Sequence, residues 1–317
     1  MAYPMPSDPD VIAFIERTLA FYPADTFGHS TAQNRALYDR YAAAFRAPRP
    51  ASITTEDFTI AASDPSRMIP ARRYRSAQHA HPDVAVLYFH GGGFVLGGLD
   101  SHDDVCAEMT AKTGIDVVSI DYRLAPEHLH PAQLDDAEAA YLGLGEHYPC
   151  LIAAGDSAGG NLAAALCLRC QARGHKQPAG QVLIYPGLGG DANGGSYLEN
   201  AEAPMLTRAE CLHYSKVRSG GVERSEIGDP EISPLLARNF SGLAPAFVVT
   251  ADIDPLRDDG SDYVARLAEA GVAAEYRNEP QLVHGYLRAR NISRRAAESF
   301  AAICAAVTRF AEASKPE

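Results

Sequence analysis

The sequence predicts an α/β fold in which a mostly parallel, eight-stranded sheet is flanked by helices and covered by a helical cap. Three observations predict it. From residue 84 onward, short apolar runs alternate with helical patterns, the rhythm of right-handed βαβ crossovers around a buried parallel sheet. Ahead of that rhythm stand two segments rich in β-branched and aromatic residues, which read as an antiparallel hairpin. Late in the chain a long Gly- and Pro-rich stretch, 187–243, interrupts the alternation, and an insertion of that length in a compact domain suits a lid or binding element better than a plain connection.

Taken in order, Val11, Phe14, Ile15 and Leu19 recur at helical spacing behind the polar Ser7-Asp8, and 36–45 repeats the pattern, so two helices precede the first strand. Segments 53–61 and 67–74 flank Ser63-Asp64-Pro65-Ser66, a set of turn-forming residues that closes the hairpin. The apolar runs 84–89, 117–120, 151–154, 182–185, 247–250 and 273–276 supply the remaining strands. Helical patterns fall between them at 103–113, 132–148, 157–172 and 261–270, with one at 208–217 inside the insertion and a long last one at 293–313. The chain therefore divides into cap helices over 1–50 and a main α/β domain over 51–317 that carries the cap insertion.

A length of 317 residues suffices for one large core. Apolar residues make up 46% and charged residues 21%, which excludes disordered, collagen-like and coiled-coil classes. With 28 Lys and Arg against 40 Asp and Glu the net charge is −12, a surface that repels phosphate backbones and anionic lipid headgroups. Nucleic acid and membrane partners are thus not expected. The opening Met1 to Asp10 lacks the basic and apolar regions of a secretion signal, and no run approaches the roughly 18 apolar residues of a membrane span, so a cytoplasmic location is expected. The six cysteines, Cys106, Cys150, Cys167, Cys170, Cys211 and Cys304, are expected to be reduced. Cys167-Leu-Arg-Cys170 has redox-motif spacing, but a metal site needs a second ligand cluster and a redox site its own surrounding fold, so both read as structural thiols.

Chemistry concentrates in a few segments. Gly155-Asp156-Ser157-Ala158-Gly159 lies where the strand 151–154 ends and a helix begins. A strand that turns sharply into a helix strains its central residue and presents the Ser157 hydroxyl clear of the sheet, with the helix N-terminus beneath it. His90-Gly91-Gly92-Gly93-Phe94 follows the strand 84–89, and consecutive glycines let backbone N–H groups converge on one point. An oxyanion hole is expected from Gly91, Gly92, Gly93 and Ala158, the amides of Gly92, Gly93 and Ala158 donating and Gly91 shaping the turn. A serine hydroxyl needs a base oriented by a carboxylate. Of the three histidines after Ser157, His175 closes a helix, His213 lies in the insertion, and His284 follows the last strand, which makes His284 the expected base. Its acid lies among Asp252, Asp254, Asp258 and Asp259. Asp258 and Asp259 fall at a helix start, where capping accounts for them, while Pro255 holds Asp254 on a rigid turn. Asp254 is the expected partner, with Asp252 as the alternative. Asp156 and Glu127 read as structural hydrogen-bonders, and Tyr185-Pro186 as the end of a core strand.

The set His90-Gly-Gly-Gly93, Asp121-Tyr-Arg-Leu-Ala-Pro-Glu127, Gly155-Asp-Ser-Ala-Gly-Gly-Asn161, Asp254-Pro-Leu-Arg-Asp258 and His284-Gly285 resembles the hormone-sensitive-lipase-like esterases of the α/β-hydrolase fold, close to bacterial acetyl esterases, from about residue 50 to the end. The resemblance implies a serine carboxylesterase that hydrolyses short- to medium-chain acyl esters, small molecules, through an acyl-enzyme, with no metal or organic cofactor. It also implies a cap built from the N-terminus and the insertion. Phe94 stands where many relatives have Trp and Tyr286 where Phe is common, so both are candidates for shaping the substrate pocket. An amidase, lactonase or carbamate hydrolase employs the same triad, and a non-catalytic binding protein is the reading from another class, although such proteins usually lose a triad residue or the glycines. The assembly state stays open, a homodimer included.

Overall fold

The computed structural model describes residues 5–22, 28–62 and 67–314. Helix α1 (Pro9–Leu19) starts behind Asp8, whose side chain accepts from the N–H groups of Asp10 and Val11. Helix α2 (Thr31–Phe45) starts earlier than the apolar pattern indicates, because Ser30 and Gln33 form a reciprocal capping box. The two helices bury Phe14 against Phe45, ring centroids 5.3 Å apart.

Strands β1 (Ile53–Ala61) and β2 (Met68–Ser76) pair antiparallel from Ile53 opposite Ser76 to Ala61 opposite Met68. The turn expected at 63–66 lies outside the described residues. There follow β3 (Val84–Phe89), α3 (Asp103–Thr113), β4 (Asp116–Ile120), α4 (Ala132–Gly145), β5 (Cys150–Asp156), α5 (Ala158–Arg173) and β6 (Gly180–Ile184). The insertion holds a short α6 (Gly195–Glu199) and α7 (Arg208–Arg218), and the chain ends with β7 (Ala246–Ile253), α8 (Arg257–Glu269), β8 (Ala274–Val283) and α9 (Arg294–Ala313).

The eight strands form one sheet in the order β1-β2-β4-β3-β5-β6-β7-β8, parallel from β4 to β8. Alternate residues of its buried strands sort onto two faces, as a period of two requires. Val84, Val86, Tyr88, Ile152, Ile184 and Phe247 join α3, α9 and the apolar sides of α1 and α2 in one cluster. Ala85, Leu87, Phe89, Leu151, Leu183 and Val248 join α4, α5 and α8 in the other. Each fully buried Val, Leu or Phe contributes about 1.5–3 kcal/mol, and both faces are covered, so the central strands read as unbroken apolar runs.

Two elements differ from the sequence pattern. Strand β8 runs ten residues to Val283, past Pro280, where the apolar run suggests only 273–276. As the last strand of the sheet it needs no partner on its outer side, so polar residues and a proline are tolerated there. Helix α8 begins at Arg257 rather than near 261. All six cysteines are buried and unpaired, and Cys167 and Cys170 sit inside α5 within the apolar cluster. No described helix is long and apolar enough to cross a membrane.

Candidate active site

The parallel strands point their C-terminal ends at one region, and the sequence-derived residues arrive there from four of them. Ser157 alone separates β5 from α5, with φ 55° and ψ −116°, a conformation that costs about 1–3 kcal/mol in a non-glycine residue. Its N–H donates to the Ile184 carbonyl at 2.8 Å, tying the turn to β6. The flanking glycines are a packing requirement. A Cβ on Gly159 would stand 1.9 Å from the Phe89 carbonyl oxygen, and one on Gly155 would stand 2.4 Å from the Gly159 backbone. Strand, turn and helix could not close with any larger residue.

His284 follows the last residue of β8. Its Nε2 lies 2.9 Å from Ser157 Oγ and its Nδ1 lies 2.7 Å from Asp254 Oδ2. Nδ1–H donating to the carboxylate leaves the Nε2 lone pair facing the serine hydroxyl. Asp254 is fully buried just beyond β7, and its Oδ1 accepts the Leu256 N–H at 2.9 Å. Asp252 points elsewhere, its Oδ1 accepting from Asn278 Nδ2 on β8 at 3.2 Å. Asp258 and Asp259 belong to the first turn of α8, yet they hold the insertion rather than cap that helix. Asp258 accepts the Ser196 N–H at 2.8 Å, and Asp259 accepts the N–H groups of Leu188, Gly189 and Gly190 at 2.6, 3.0 and 3.2 Å. Burial pushes the Asp259 carboxyl up to about 6. His175 stands apart, 3.3 Å from Glu138.

Gly92 and Gly93 carry positive φ values of 125° and 62° and, with Ala158, line the cavity at Ser157. Among the described residues their N–H groups meet no acceptor, and Ala158 is the first residue of α5, whose amide has no partner within the helix. Gly91 differs, since its N–H donates to Asp156 Oδ1 at 3.0 Å, so this glycine joins the loop to the turn instead of facing the cavity. The buried Asp156 also accepts from the Tyr88 hydroxyl at 2.8 Å and meets His102 Nε2 at 3.3 Å. Burial raises its carboxyl, but the adjacent His102, the Tyr88 hydroxyl and Arg288 outweigh this and hold it well below the usual carboxylate range. Glu127 likewise has a structural partner, a two-pronged ion pair with Arg35 of α2 at 2.7 and 2.8 Å.

A cavity of about 730 Å³ opens over Ser157 and His284. Phe94 lines it. Tyr286 does not, and the expectation that it shapes the pocket is corrected: the chain reverses at Gly285 and sends this ring into the core, where its hydroxyl meets Ser299 Oγ at 2.7 Å. Tyr185, read from the sequence as a core residue, is the aromatic that reaches the site, lining the cavity with its ring centroid 4.9 Å from that of His284. Sequence reasoning also missed Tyr38 and Tyr41 of α2, whose spacing of three on a helix does place them on one face, and Arg218, Arg224 and Arg288, for which no local signal exists. His130, Asp229 and Glu231 lie at metal-ligand spacing nearer the surface, but Arg169 already grips Glu231 through Nε at 2.9 Å and Nη2 at 2.5 Å.

With this geometry in place, comparison with known proteins gives a consistent picture. A family model described as alpha/beta hydrolase fold matches residues 86–288, more than half of the chain. Esterase LipI of Mycobacterium tuberculosis is 42% identical over 217 residues, which span 65% of this chain and 68% of that protein. The ethyl acetate hydrolase of Pseudomonas putida is 34% identical over 266 residues, 81% of this chain and 80% of its own. A solved esterase from the bacterial hormone-sensitive lipase family matches with a TM-score of 0.86 at 27% identity, covering 97% of this chain and all of that one.

Proposed function

The chain belongs to the hormone-sensitive-lipase-like esterases of the α/β-hydrolase fold, carboxylic ester hydrolases, and from that premise we propose that it cleaves short- to medium-chain acyl esters through an acyl-enzyme on Ser157. The observation that carries this reading is the unbroken hydrogen-bonded line from Ser157 Oγ through His284 to the buried Asp254. His284 Nε2 takes the hydroxyl proton as Oγ bonds to the ester carbonyl carbon, and the carbonyl oxygen takes up the negative charge. The amides of Gly92, Gly93 and Ala158 hold that oxyanion, each donor being worth about 3 kcal/mol in rate. The imidazolium then returns its proton to the departing alkoxide as the carbonyl reforms. Water, deprotonated by the same nitrogen, attacks the acyl-enzyme, which releases the carboxylic acid and restores the serine. Asp254 keeps the imidazole oriented and stabilises its cationic form throughout.

The N-terminal helices and the insertion act as the cap over this site. Thr18, Leu19, Tyr38 and Tyr41 from the first, and Leu206, Tyr214 and Arg218 from the second, line the cavity, which supports that role. The printed name of the Pseudomonas putida relative is in keeping with a short acyl group. The test is a series of aryl esters of rising acyl length run beside aryl amides, with an organophosphonate as covalent probe. The expected result is labelling of Ser157, with kcat/KM highest at roughly two to six acyl carbons and far lower for amides. Unlabelled Ser157 in folded protein, or a steady rise toward long-chain lipids, refutes the reading.

A further inference from the structure

Four arginines are buried among the described residues: Arg169, Arg218, Arg288 and Arg290. The two away from the cavity are neutralised by carboxylates. Arg169 meets Asp135 at 2.6 Å and Glu231 at 2.5 Å, and Arg290 meets Asp104 at 2.6 Å and Glu108 at 2.7 Å. The two that line the cavity, Arg218 and Arg288, have no carboxylate at ion-pair distance among the described residues. A buried charge is ordinarily paired, since removal from water is costly and only an opposite charge or a full set of hydrogen bonds offsets it. The contrast within one molecule leaves both cavity arginines without a carboxylate in direct contact, a place that the anion of a ligand can fill.

Arg218 is the less compensated of the two. Arg288 donates to the Ser101 carbonyl and the Tyr38 hydroxyl and has Asp104 nearby, while Asp156 feels its charge. Every hydrogen-bond partner of Arg218 is neutral: Asn161 Oδ1 at 3.0 Å from Nη1, and the main-chain carbonyls of Ile232 and Glu231 at 3.4 and 3.3 Å. Its guanidinium lies over the Phe94 ring, 3.7 Å from the centroid, and its Nε is buried without an acceptor. Burial lowers this guanidinium to about 9 although the charges of Asp229 and Glu231 act against it from a distance, and it remains a cation at neutral pH. Its position is defined by those contacts. Asn161 stands one turn into α5, about 6 Å along the axis from Ser157, and Phe94 directly follows the glycine loop.

We propose that this esterase takes substrates bearing a second, anionic group, a carboxylate seated against Arg218 one helical turn from Ser157. This rests on the reading of Ser157 as nucleophile. The planar guanidinium has five donors and matches a carboxylate edge to edge, and Asn161 and the two carbonyls leave part of that donor set unpaired, the buried Nε–H included. A dicarboxylic half-ester with a four-methylene spacer carries the charge on the acyl side; a carboxyl on the alcohol fragment presents it from the other side of the scissile bond.

Matched ester pairs that differ only in charge test this: 4-nitrophenyl hydrogen adipate against its methyl ester, and 4-carboxyphenyl butyrate against its methyl ester. In the parent chain one charged member is expected to exceed its neutral partner in kcat/KM by about tenfold or more, the factor a desolvated charge pair readily supplies. In Arg218→Met that ratio, which cancels any general loss of activity, is expected to fall at least tenfold, and Arg218→Lys should keep part of it. Parent ratios of one or below in both pairs overturn the proposal, and this outcome needs no variant to fold. It is equally overturned if Arg218→Met, still labelled at Ser157, lowers both members of each pair by the same factor, because the arginine then only positions Phe94 and Asn161. Absence of hydrolysis and labelling in the parent instead strikes at the proposed function, and this proposal falls with it.

Discussion

Replacing Asp254 with Asn is expected to lower kcat by about 10⁴-fold, about 5.5 kcal/mol in the barrier, while the protein stays folded. Both carboxylate oxygens are committed as acceptors, Oδ2 to His284 Nδ1–H at 2.7 Å and Oδ1 to the Leu256 N–H at 2.9 Å. An amide offers one acceptor and one donor, so neither orientation satisfies both. With Nδ2 toward His284, a donor faces a donor until the imidazole moves its proton to Nε2, and Nε2 then has no lone pair for the serine hydroxyl. With Nδ2 toward Leu256, the imidazole tautomer survives, but two donors meet in a fully buried turn at about 1–3 kcal/mol, and no charge remains to stabilise the imidazolium. The assay is kcat on 4-nitrophenyl acetate together with urea unfolding of the same preparations. Asp252→Asn is the control, because among the described residues that carboxylate accepts from the Asn278 amide and not from His284, and kcat near the parent value is expected. The reasoning is refuted if a well-folded Asp252→Asn loses turnover while Asp254→Asn retains it.

Three further outcomes follow from positions on either side of the nucleophile. Gly93→Ala must hold φ at 62° with a methyl 2.5 Å from the Tyr214 ring, so the loop should rotate and kcat on a short aryl ester should fall about 10²-fold, with partial recovery when Tyr214→Ala is added. Gly159→Ala meets main chain rather than a flexible side chain, the Phe89 carbonyl oxygen at 1.9 Å, and should cost at least about 3 kcal/mol in urea unfolding; a loss under about 1 kcal/mol contradicts the packing argument. Burial, then the neighbouring His102, lower His90 to about 4 from an ordinary 6.5, so the unfolded chain takes up this proton first. The stability it contributes is complete above pH 6.5 and is lost as pH falls from 6.5 toward 4, by about 3 kcal/mol in all; His90→Gln should flatten the urea-unfolding free energy across that window.

Legibility of this molecule in its sequence followed the range of the interactions involved. The buried strands and the turn at Ser157 depend on neighbours in sequence: an apolar run, then glycines, then a helix. Chain order and a proline narrow a short candidate set to His284 and Asp254, which the structure sets in line with Ser157. Tyr185 and Tyr286 both belong to the core, yet only Tyr185 also lines the cavity. Both sit at strand ends and both are buried, and what distinguishes them is the direction in which the following chain turns, outward from Pro186 into the insertion and back at Gly285 into the core. The extension of β8 past Pro280 was equally hidden, because edge position is a property of the assembled sheet and not of a segment. The same holds for Asp258 and Asp259, which look like helix caps locally but are engaged by Leu188 to Gly190 and Ser196, about sixty to seventy residues away.

Backbone strain shows where the fold concentrates its unfavourable conformations. Among the described residues six non-glycine positions have positive φ: His79, Phe94, Ser157, Tyr185, Met205 and Gln281. Four of these, Phe94, Ser157, Tyr185 and Met205, line the cavity over Ser157 and His284. Ser157 and Tyr185 lie directly beyond the C-terminal ends of the adjacent parallel strands β5 and β6, and Phe94 closes the glycine loop after β3; a side chain that continued the pleat there would point to one face of the sheet and not into the space beyond the strand ends. Turning each residue through the left-handed region swings its side chain over the strand ends at about 1–3 kcal/mol apiece. The sheet tolerates this because every strand beneath is buried on both faces and fixed by its neighbours, so the strained residues cannot relax without breaking β3–β5 or β5–β6 pairing. A substitution that relieves the strain, such as Ser157→Gly, should therefore stabilise the fold and abolish turnover together, and denaturant titration beside a turnover assay measures both; loss of stability in that variant would show that the turn carries no strain to release.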